Sequence, residues 1–256
     1  DRVMISYGSS DDVVSKLKEN GFEVYEVGWD GWGRPLTGGN ELITHSGLVN
    51  PENAHRLVHN LRFFHIWHLL SQFEKEGRKY DRLITTDVRD VMFQGNPSDW
   101  LDANQEKPII APGESVMYRD ESWNLNNFVT TFGNLLWEYL GKDIQVCNVG
   151  TIAGNVDEIK DMCYMIYSLA VGNGHGDQPA FNILANTSYK DKVQFVGTDD
   201  YWACQTGTLV ENYDKLKSVL LDKPPYMGMD GLVRNSKDDV FCLVHQYERI
   251  PEWNEI

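Results

Sequence analysis

Positive charge is scarce in this sequence. Lys and Arg together number 23 against 38 Asp and Glu, which gives a formal net charge of −15. No stretch concentrates basic residues, so the composition excludes a protein that grips nucleic acid through its phosphates. An anionic small ligand would need a cation, or a few well-placed Arg and Lys side chains, to be held.

Long apolar runs and paired cysteines are also missing. No apolar run approaches the roughly 18 residues typical of a transmembrane helix, and no signal peptide opens the chain. The four cysteines, Cys147, Cys163, Cys204 and Cys242, lie far apart without a C-x-x-C pair. They indicate buried thiols in a reducing compartment rather than disulfides or a zinc site. We therefore expect a cytoplasmic protein without a membrane segment, and the oligomeric state stays open.

A strand–helix–strand unit opens the chain. Strands are predicted over residues 2–7 and 22–27, and the helix between them has acidic residues in its first turn and ends before Gly21. This is a Rossmann-like half unit. The first strand is followed by Gly8 without a G-x-G-x-x-G fingerprint, so a dinucleotide site is not predicted, although backbone N–H groups there can approach a nucleotide.

The next part of the chain combines an irregular segment with a strong helix. Residues 28–50 are rich in Gly and Trp, show no periodicity and predict a long loop, either a functional lid or an ordered surface loop. A helix with Asn50 as N-cap follows. Its histidines, His55, His59, His65 and His68, lack an H-E-x-x-H motif, so we interpret them as solvated or hydrogen-bonded. Arg62, between apolar neighbours, is either a surface charge or directed toward the ligand edge of the sheet.

Two carboxylates follow a short apolar strand, Leu83–Thr85. Asp87 and Asp90 are three residues apart, with Arg89 beside the second. Carboxylates at the carboxyl end of a buried strand lie where open α/β sheets bind ligands. Two of them repel each other unless a cation lies between, and Mg²⁺ or Mn²⁺ suits that role. The alternative is that Asp87 caps a turn and Arg89 pairs with Asp90.

The second half of the chain alternates between strands and helices. Strands are predicted over 108–112, 193–196 and 240–244, and amphipathic helices over 122–140 and from Asn155 to Gly172. Residues 144–154 read as strand–turn–strand with small residues at the turn. A flexible Gly-rich segment leads to Asp177 at a helix start, and the last strand delivers His245.

Several of these pieces, in this order, resemble the GT-A family of nucleotide-sugar glycosyltransferases. The matching segments cover roughly residues 60 to 250 and are Arg62–Phe63, Thr86–Gln94 with Asn96–Pro97, Asn148–Gly154, Gly176–Asn182 and Val244–Tyr247. The usual acidic motif of this family is D-x-D, whereas here position 89 is Arg and the second carboxylate is Asp90. Which of Asp87 and Asp90 binds metal therefore stays open.

The resemblance implies one domain over residues 1–256, with a nucleotide-binding half (1–110) and an acceptor-side half (111–256). It implies an α/β fold of the Rossmann-like GT-A type, with a central mixed, mostly parallel sheet flanked by helices. It also implies Mn²⁺ or Mg²⁺ bound by Asp87, Asp90 and His245 on the diphosphate of a UDP-sugar. The donor contacts expected on this basis are Ser6, Tyr7, Gly8, Arg62, Thr86, Asp87, Val88, Arg89, Asn148 and Gly150.

The reaction implied is transfer of xylose or a hexose to a glycan hydroxyl. Inversion requires a base for the hydroxyl proton, with Asp177 as the first candidate and Asp200 as the second; retention needs no base at that place. Alternatives are a metal-dependent nucleotidyltransferase, a sugar-nucleotide phosphohydrolase, or a carbohydrate-binding module built on the Trp-rich loop. A looser resemblance is to the glycosyltransferases of large algal viruses, including chlorovirus capsid xylosyltransferases, which would act in the host cytoplasm.

Overall fold

The computed structural model describes residues 1–29, 35–37, 40–41, 58–170 and 175–253, and in them the protein is mixed α/β. The helices are α1 Asp11–Glu19, α2 Val58–Lys75, α3 Pro97–Asn104, α4 Ser122–Tyr139, α5 Val156–Leu169, α6 Asp177–Asn186 and α7 Tyr213–Leu216. The strands are β1 Val3–Ser6, β2 Glu23–Trp29, β3 Pro35–Thr37, β4 Asn40–Glu41, β5 Arg82–Thr86, β6 Val91–Phe93, β7 Ile109–Met117, β8 Gln145–Cys147, β9 Thr151–Asn155, β10 Val193–Val196, β11 Ala203–Gln205, β12 Tyr226–Met227, β13 Val233–Arg234 and β14 Leu243–His245.

The opening strand–helix–strand unit is confirmed. Strands β1 and β2 are parallel, with Val3 opposite Glu23, and α1 connects them. Within segment 28–50, predicted to be one long loop, the described residues are strands: β2 continues to Trp29, and β3 and β4 add to it in antiparallel order. These strands form because β3 pairs with β2 and β4 pairs with β3, although their own sequence shows no strand periodicity. The predicted helix start at Asn50 lies outside the described residues.

The central sheet corrects the prediction of a mostly parallel arrangement. Its order is β10-β7-β9-β5 with β8 paired to β7, and β10–β7 is its one parallel pair among the described strands. Strand β9 runs antiparallel to both of its neighbours. Strands β8 and β9 run in the same direction, and both pair antiparallel with β7. Residues 148–150 between them bulge out of this pairing and do not reverse the direction of the chain.

Strand β7 separates the two main parts of the core. Ile109 packs in a cluster with Phe63 of α2, Ile166 of α5 and Phe181 of α6. Ile110 points the other way, into a cluster with Trp100 and Trp202. Because side chains alternate between the faces of a strand, this sheet is covered by apolar groups on both sides. Strand β7 also runs unbroken across residues 110 and 111, where the sequence places the division between two halves.

A second, three-stranded sheet carries the end of the chain. Its order is β11-β14-β6, with β14 parallel to β11 and antiparallel to β6. The predicted last strand begins later than expected, at Leu243 instead of Val240, and it still ends on His245. The four cysteines are buried and free, as the sequence predicts.

Candidate metal centre

Strand pairing brings three distant parts of the chain to one place. Strand β5 ends at Thr86, opposite Thr151 of β9, and the Asp87 backbone N–H donates to the Gly150 carbonyl at 2.9 Å. After the turn, β6 begins at Val91, which lies directly opposite His245 of β14. The acidic turn is therefore held between the bulge of residues 148–150 on one side and the last strand on the other.

Asp87, Asp90 and His245 form a cluster whose ligand atoms all lie within 4.8 Å of one another. His245 Nε2 lies 3.5 Å from Asp87 Oδ2 and 3.7 Å from Asp90 Oδ2. The imidazole is 2 % exposed, and its Nε2 makes no hydrogen bond within the part of the chain that the structure describes. Both carboxylates flagged by the sequence therefore face the late histidine.

Gln205 determines which nitrogen of His245 faces the carboxylates. It lies beside His245 in the parallel pairing of β11 and β14, and its Oε1 is 2.7 Å from His245 Nδ1. The Gln205 amide nitrogen is directed the other way, donating to Thr151 Oγ1 at 3.1 Å. With Nδ1–H donated to an amide oxygen, the neutral imidazole presents its Nε2 lone pair to the two carboxylates. Such a hydrogen bond to the other ring nitrogen is typical of metal-binding histidines.

Gly150 leaves the space that these side chains occupy. A Cβ at this position would lie 2.7 Å from His245 Cε1 and 2.9 Å from both Asp87 Oδ2 and Asn148 Oδ1. Any larger residue would therefore displace part of the cluster. The requirement at this position is room, since the Gly150 backbone is outside the left-handed region.

Arg62 links the cluster to the start of α6. Its guanidinium donates to Asp87 Oδ1 through one nitrogen and to Asp177 Oδ2, at 3.0 Å, through another. Burial opposes ionisation of Asp87, but the Arg62 guanidinium outweighs it and holds the pKa of the Asp87 carboxyl well below its ordinary value. Arg62 is thus directed toward the ligand edge, which was one of the two positions the sequence allowed.

These residues fit a divalent cation. Two carboxylate oxygens and an imidazole nitrogen converge. The nitrogen, His245 Nε2, is buried and makes no hydrogen bond among the described residues. Carboxylates suit Mg²⁺ and Mn²⁺, whereas an imidazole ligand is less common for the harder Mg²⁺. The donor set therefore favours Mn²⁺ over Mg²⁺. Both aspartates can reach a cation at this position, so which of them binds the metal stays open.

The two candidate bases occupy different surroundings. Asp177 is the first residue of α6, 5 % exposed and bonded to Arg62, which also contacts the metal cluster. Asp200 accepts the Gly197 backbone N–H at 2.8 Å, which caps a short 3-10 turn. Asp200 also lines a cavity of about 260 Å³ whose lining includes no member of the metal cluster. The arrangement favours Asp177 as the group that can act beside the cation.

Three of the remaining predicted donor contacts, Tyr7, Asn148 and Arg89, differ in their surroundings. Tyr7 hydrogen-bonds His65 Nδ1 at 2.6 Å on α2, the helix that also carries Arg62, and Asn148 accepts the Gly150 N–H at 2.7 Å beside the cluster. Arg89 instead turns to solvent, 84 % exposed in its side chain, and pairs with Glu248 at 2.8 Å. Among the described residues it pairs with neither Asp90 nor another member of the cluster, so the alternative interpretation, in which Arg89 pairs with Asp90, is wrong.

The other four positions vary in exposure. Ser6 is buried and its hydroxyl accepts the Ser9 N–H at 3.3 Å, while Gly8 has a left-handed φ of +80°. Thr86 lies at the end of β5, and Val88 is exposed in the acidic turn. The roles of all the expected donor contacts, these four and the others, stay predictions.

Sequence reasoning missed Gln205 and Glu114. Gln205 gave no signal, because its role depends on the parallel pairing that sets it beside His245. Glu114 did give a signal, because it is the one charged residue in the run Ile109–Met117, which forms β7. In the structure it is 8 % exposed. A lone carboxylate inside a buried strand requires partners, and this pointed to a polar network.

No protein-family model matches the chain, and the search of curated proteins gives no significant match. Among the described residues, no helix combines the length and apolar character that crossing a bilayer requires.

Proposed function

We propose that this protein is a metal-dependent glycosyltransferase of the GT-A type, which moves xylose or a hexose from a UDP-sugar to a glycan hydroxyl with inversion. The observation that carries the proposal is the cluster of Asp87, Asp90 and His245 together with Asp177, tied to it through Arg62. The Arg62 side chain thus contacts both the candidate cation position, through Asp87, and the candidate base, Asp177.

The need for a local positive centre follows from the charge of the protein. With a net charge of −15, the chain repels a diphosphate over most of its surface. Asp87, Asp90 and His245 would hold the cation, which supplies positive charge to the departing diphosphate. Arg62 adds a permanent positive charge next to that position, and its bonds to two carboxylates fix its orientation.

In this proposal Asp177 is the base that takes the proton of the acceptor hydroxyl. It stands on a helix start, and Arg62 fixes its Oδ2 in one direction. In the proposed reaction the acceptor hydroxyl gives its proton to Asp177 while its oxygen forms a bond to the anomeric carbon. The bond from that carbon to the diphosphate breaks, and UDP leaves with the electron pair, so that the configuration inverts.

The test combines ligand binding with product analysis. Thermal unfolding is measured with UDP- and GDP-sugars in Mn²⁺ and in EDTA, since a ligand that binds the native state raises its apparent stability. UDP release is then measured with glycan acceptors. We expect binding of UDP-sugars that depends on Mn²⁺, and UDP release that depends on an acceptor. Asp177→Asn should lower turnover roughly 10²–10⁴-fold with donor binding retained, and Asp200→Asn is the matched control that should stay active.

Other products would overturn the proposal in distinct ways. Release of a nucleoside monophosphate without acceptor would identify a phosphohydrolase, and pyrophosphate release from nucleoside triphosphates would identify a nucleotidyltransferase. Sugar binding that is equal in EDTA and without nucleotide would indicate a carbohydrate-binding module. Full activity of Asp177→Asn would remove Asp177 as the base.

A further inference from the structure

A buried carboxylate on β7 lies next to the metal cluster without being part of it. Glu114 accepts hydrogen bonds from four side chains: Asn148 at 2.8 Å and Gln178 at 3.1 Å on Oε1, and Asn124 at 3.3 Å and Thr208 at 3.4 Å on Oε2. All four donors are buried. No cation pairs with Glu114 among the described residues, so amide and hydroxyl donors offset the cost of burying it.

The backbone around Glu114 is irregular in a way that directs it inward. The register between β7 and β8 shifts between Gly113 and Met117. Ser115 has a left-handed φ of +64°, and its hydroxyl both donates to Asp222 Oδ2 at 2.7 Å and accepts the Asp222 N–H at 2.8 Å. Left-handed backbone is costly for a residue other than glycine, so the surrounding structure maintains it.

Asn148 connects Glu114 to the metal cluster. Its Nδ2 donates to Glu114, which leaves Oδ1 to accept the Gly150 backbone N–H at 2.7 Å. Gly150 in turn accepts the Asp87 N–H through its carbonyl, at 2.9 Å. Each bond fixes the direction of the next. If the Asn148 amide turned over, its NH₂ group would face the Gly150 N–H, two donors against each other.

We propose that Glu114 is a positioning residue for the cation, acting through Asn148 and Gly150 on Asp87. The carboxylate sets the orientation of the Asn148 amide, which holds the 148–150 bulge, and the bulge fixes the first carboxylate of the cluster. This inference rests on the cation position of the proposed function, but it does not depend on which reaction the protein catalyses.

The test measures Mn²⁺ binding without any nucleotide. Paramagnetic resonance of free Mn²⁺ during titration gives the dissociation constant of the wild type and of three variants. Glu114→Met removes both acceptor oxygens, and we expect affinity to fall about 10–100-fold, the usual cost of losing an outer partner of a metal ligand. Glu114→Gln keeps one acceptor oxygen for Asn148 and should stay within about threefold of the wild type. Thr208→Val, the matched control, removes a donor on the other oxygen and should bind like the wild type.

Amide hydrogen exchange of the metal-free protein separates positioning from general damage. In Glu114→Met, protection should fall at the Asp87 and Gly150 amides and stay unchanged at Ile109 in β7, whose N–H donates to the Lys192 carbonyl at 3.0 Å. If Glu114→Met does not fold, Asn148→Ala breaks the same connection and should show the same loss of Mn²⁺ affinity.

Three results bear on the two proposals separately. Wild-type protein that fails to bind Mn²⁺ would overturn the cation position itself. Wild-type binding together with unchanged affinity in folded Glu114→Met, or in Asn148→Ala, would overturn the positioning role alone. A loss as large in Thr208→Val as in Glu114→Met would also contradict it, because the network would then act only through overall stability.

Discussion

Replacing Gly150 with alanine adds a single methyl group at the centre of the metal cluster. That carbon would lie 2.7 Å from His245 Cε1 and 2.9 Å from Asp87 Oδ2. The Gly150 backbone is outside the left-handed region, so alanine adds no backbone strain. The variant therefore perturbs the position of the ligands rather than the conformation of the chain.

The size of the effect follows from contact distances. Carbon atoms pack at about 3.5–4.0 Å, so His245 or the bulge must move by nearly 1 Å to accept the methyl group. Metal–ligand distances tolerate deviations of only about 0.2 Å. We expect Mn²⁺ affinity to fall at least tenfold, which corresponds to about 1.4 kcal/mol. The overlap itself should destabilise the metal-free protein by about 1–3 kcal/mol.

The assay is calorimetric titration of Mn²⁺ into folded Gly150→Ala, with Gly95→Ala as the matched control. At Gly95 the nearest atoms to an added Cβ lie 3.9 Å away, an ordinary contact, so this variant should bind Mn²⁺ like the wild type. Folded Gly150→Ala with wild-type affinity would refute the reasoning, because the cation would then lie somewhere other than among Asp87, Asp90 and His245.

Two further predictions concern buried charge. Burial lowers the pKa of His65 from 6.5 to about 4. Between these pH values the unfolded chain binds a proton at His65 that the folded protein does not bind. The unfolding free energy should therefore fall by about 3 kcal/mol as the pH drops from 6.5 to 4. Urea unfolding at both pH values should show a smaller loss in His65→Gln; an equal loss would contradict this. Arg62→Met removes the positive charge shared by Asp87 and Asp177. It should lower the unfolding free energy in EDTA by about 2 kcal/mol. This is less than the loss expected for a fully buried ion pair, because the Asp87 side chain is 30 % exposed. Added Mn²⁺ should restore part of that loss, and an unfolding free energy equal to that of the wild type would contradict the account.

Local sequence signals predicted the elements that depend on local interactions. The periodicity of residues 122–140 and of the segment from Asn155 to Gly172 predicted α4 and α5, although α4 is interrupted at Gly133, whose φ of +79° is not helical. The first strand–helix–strand unit formed as expected. The acidic turn was identified from its position after a strand, whereas His245 was expected as a metal ligand from the family resemblance. Apart from His245, each of these depends on side chains a few residues apart, which a sequence displays directly.

Features that depend on pairing between distant strands were not predictable in the same way. The direction of β9 between β5 and β7 makes the central sheet mostly antiparallel, and no local pattern encodes that direction. The pairing of Gln205 with His245 likewise follows from the parallel register of β11 and β14. Arg89 sits next to Asp90 in sequence, yet its long side chain reaches Glu248 instead.

The most direct test of the cation position is pulsed paramagnetic resonance of the protein loaded with Mn²⁺. If His245 Nε2 binds the ion, the spin-echo modulation should show coupling to a histidine nitrogen, and the coupling should change with ¹⁵N-histidine labelling. It should be absent in His245→Gln. Bound Mn²⁺ without nitrogen coupling, or with the same coupling in His245→Gln, would contradict the account.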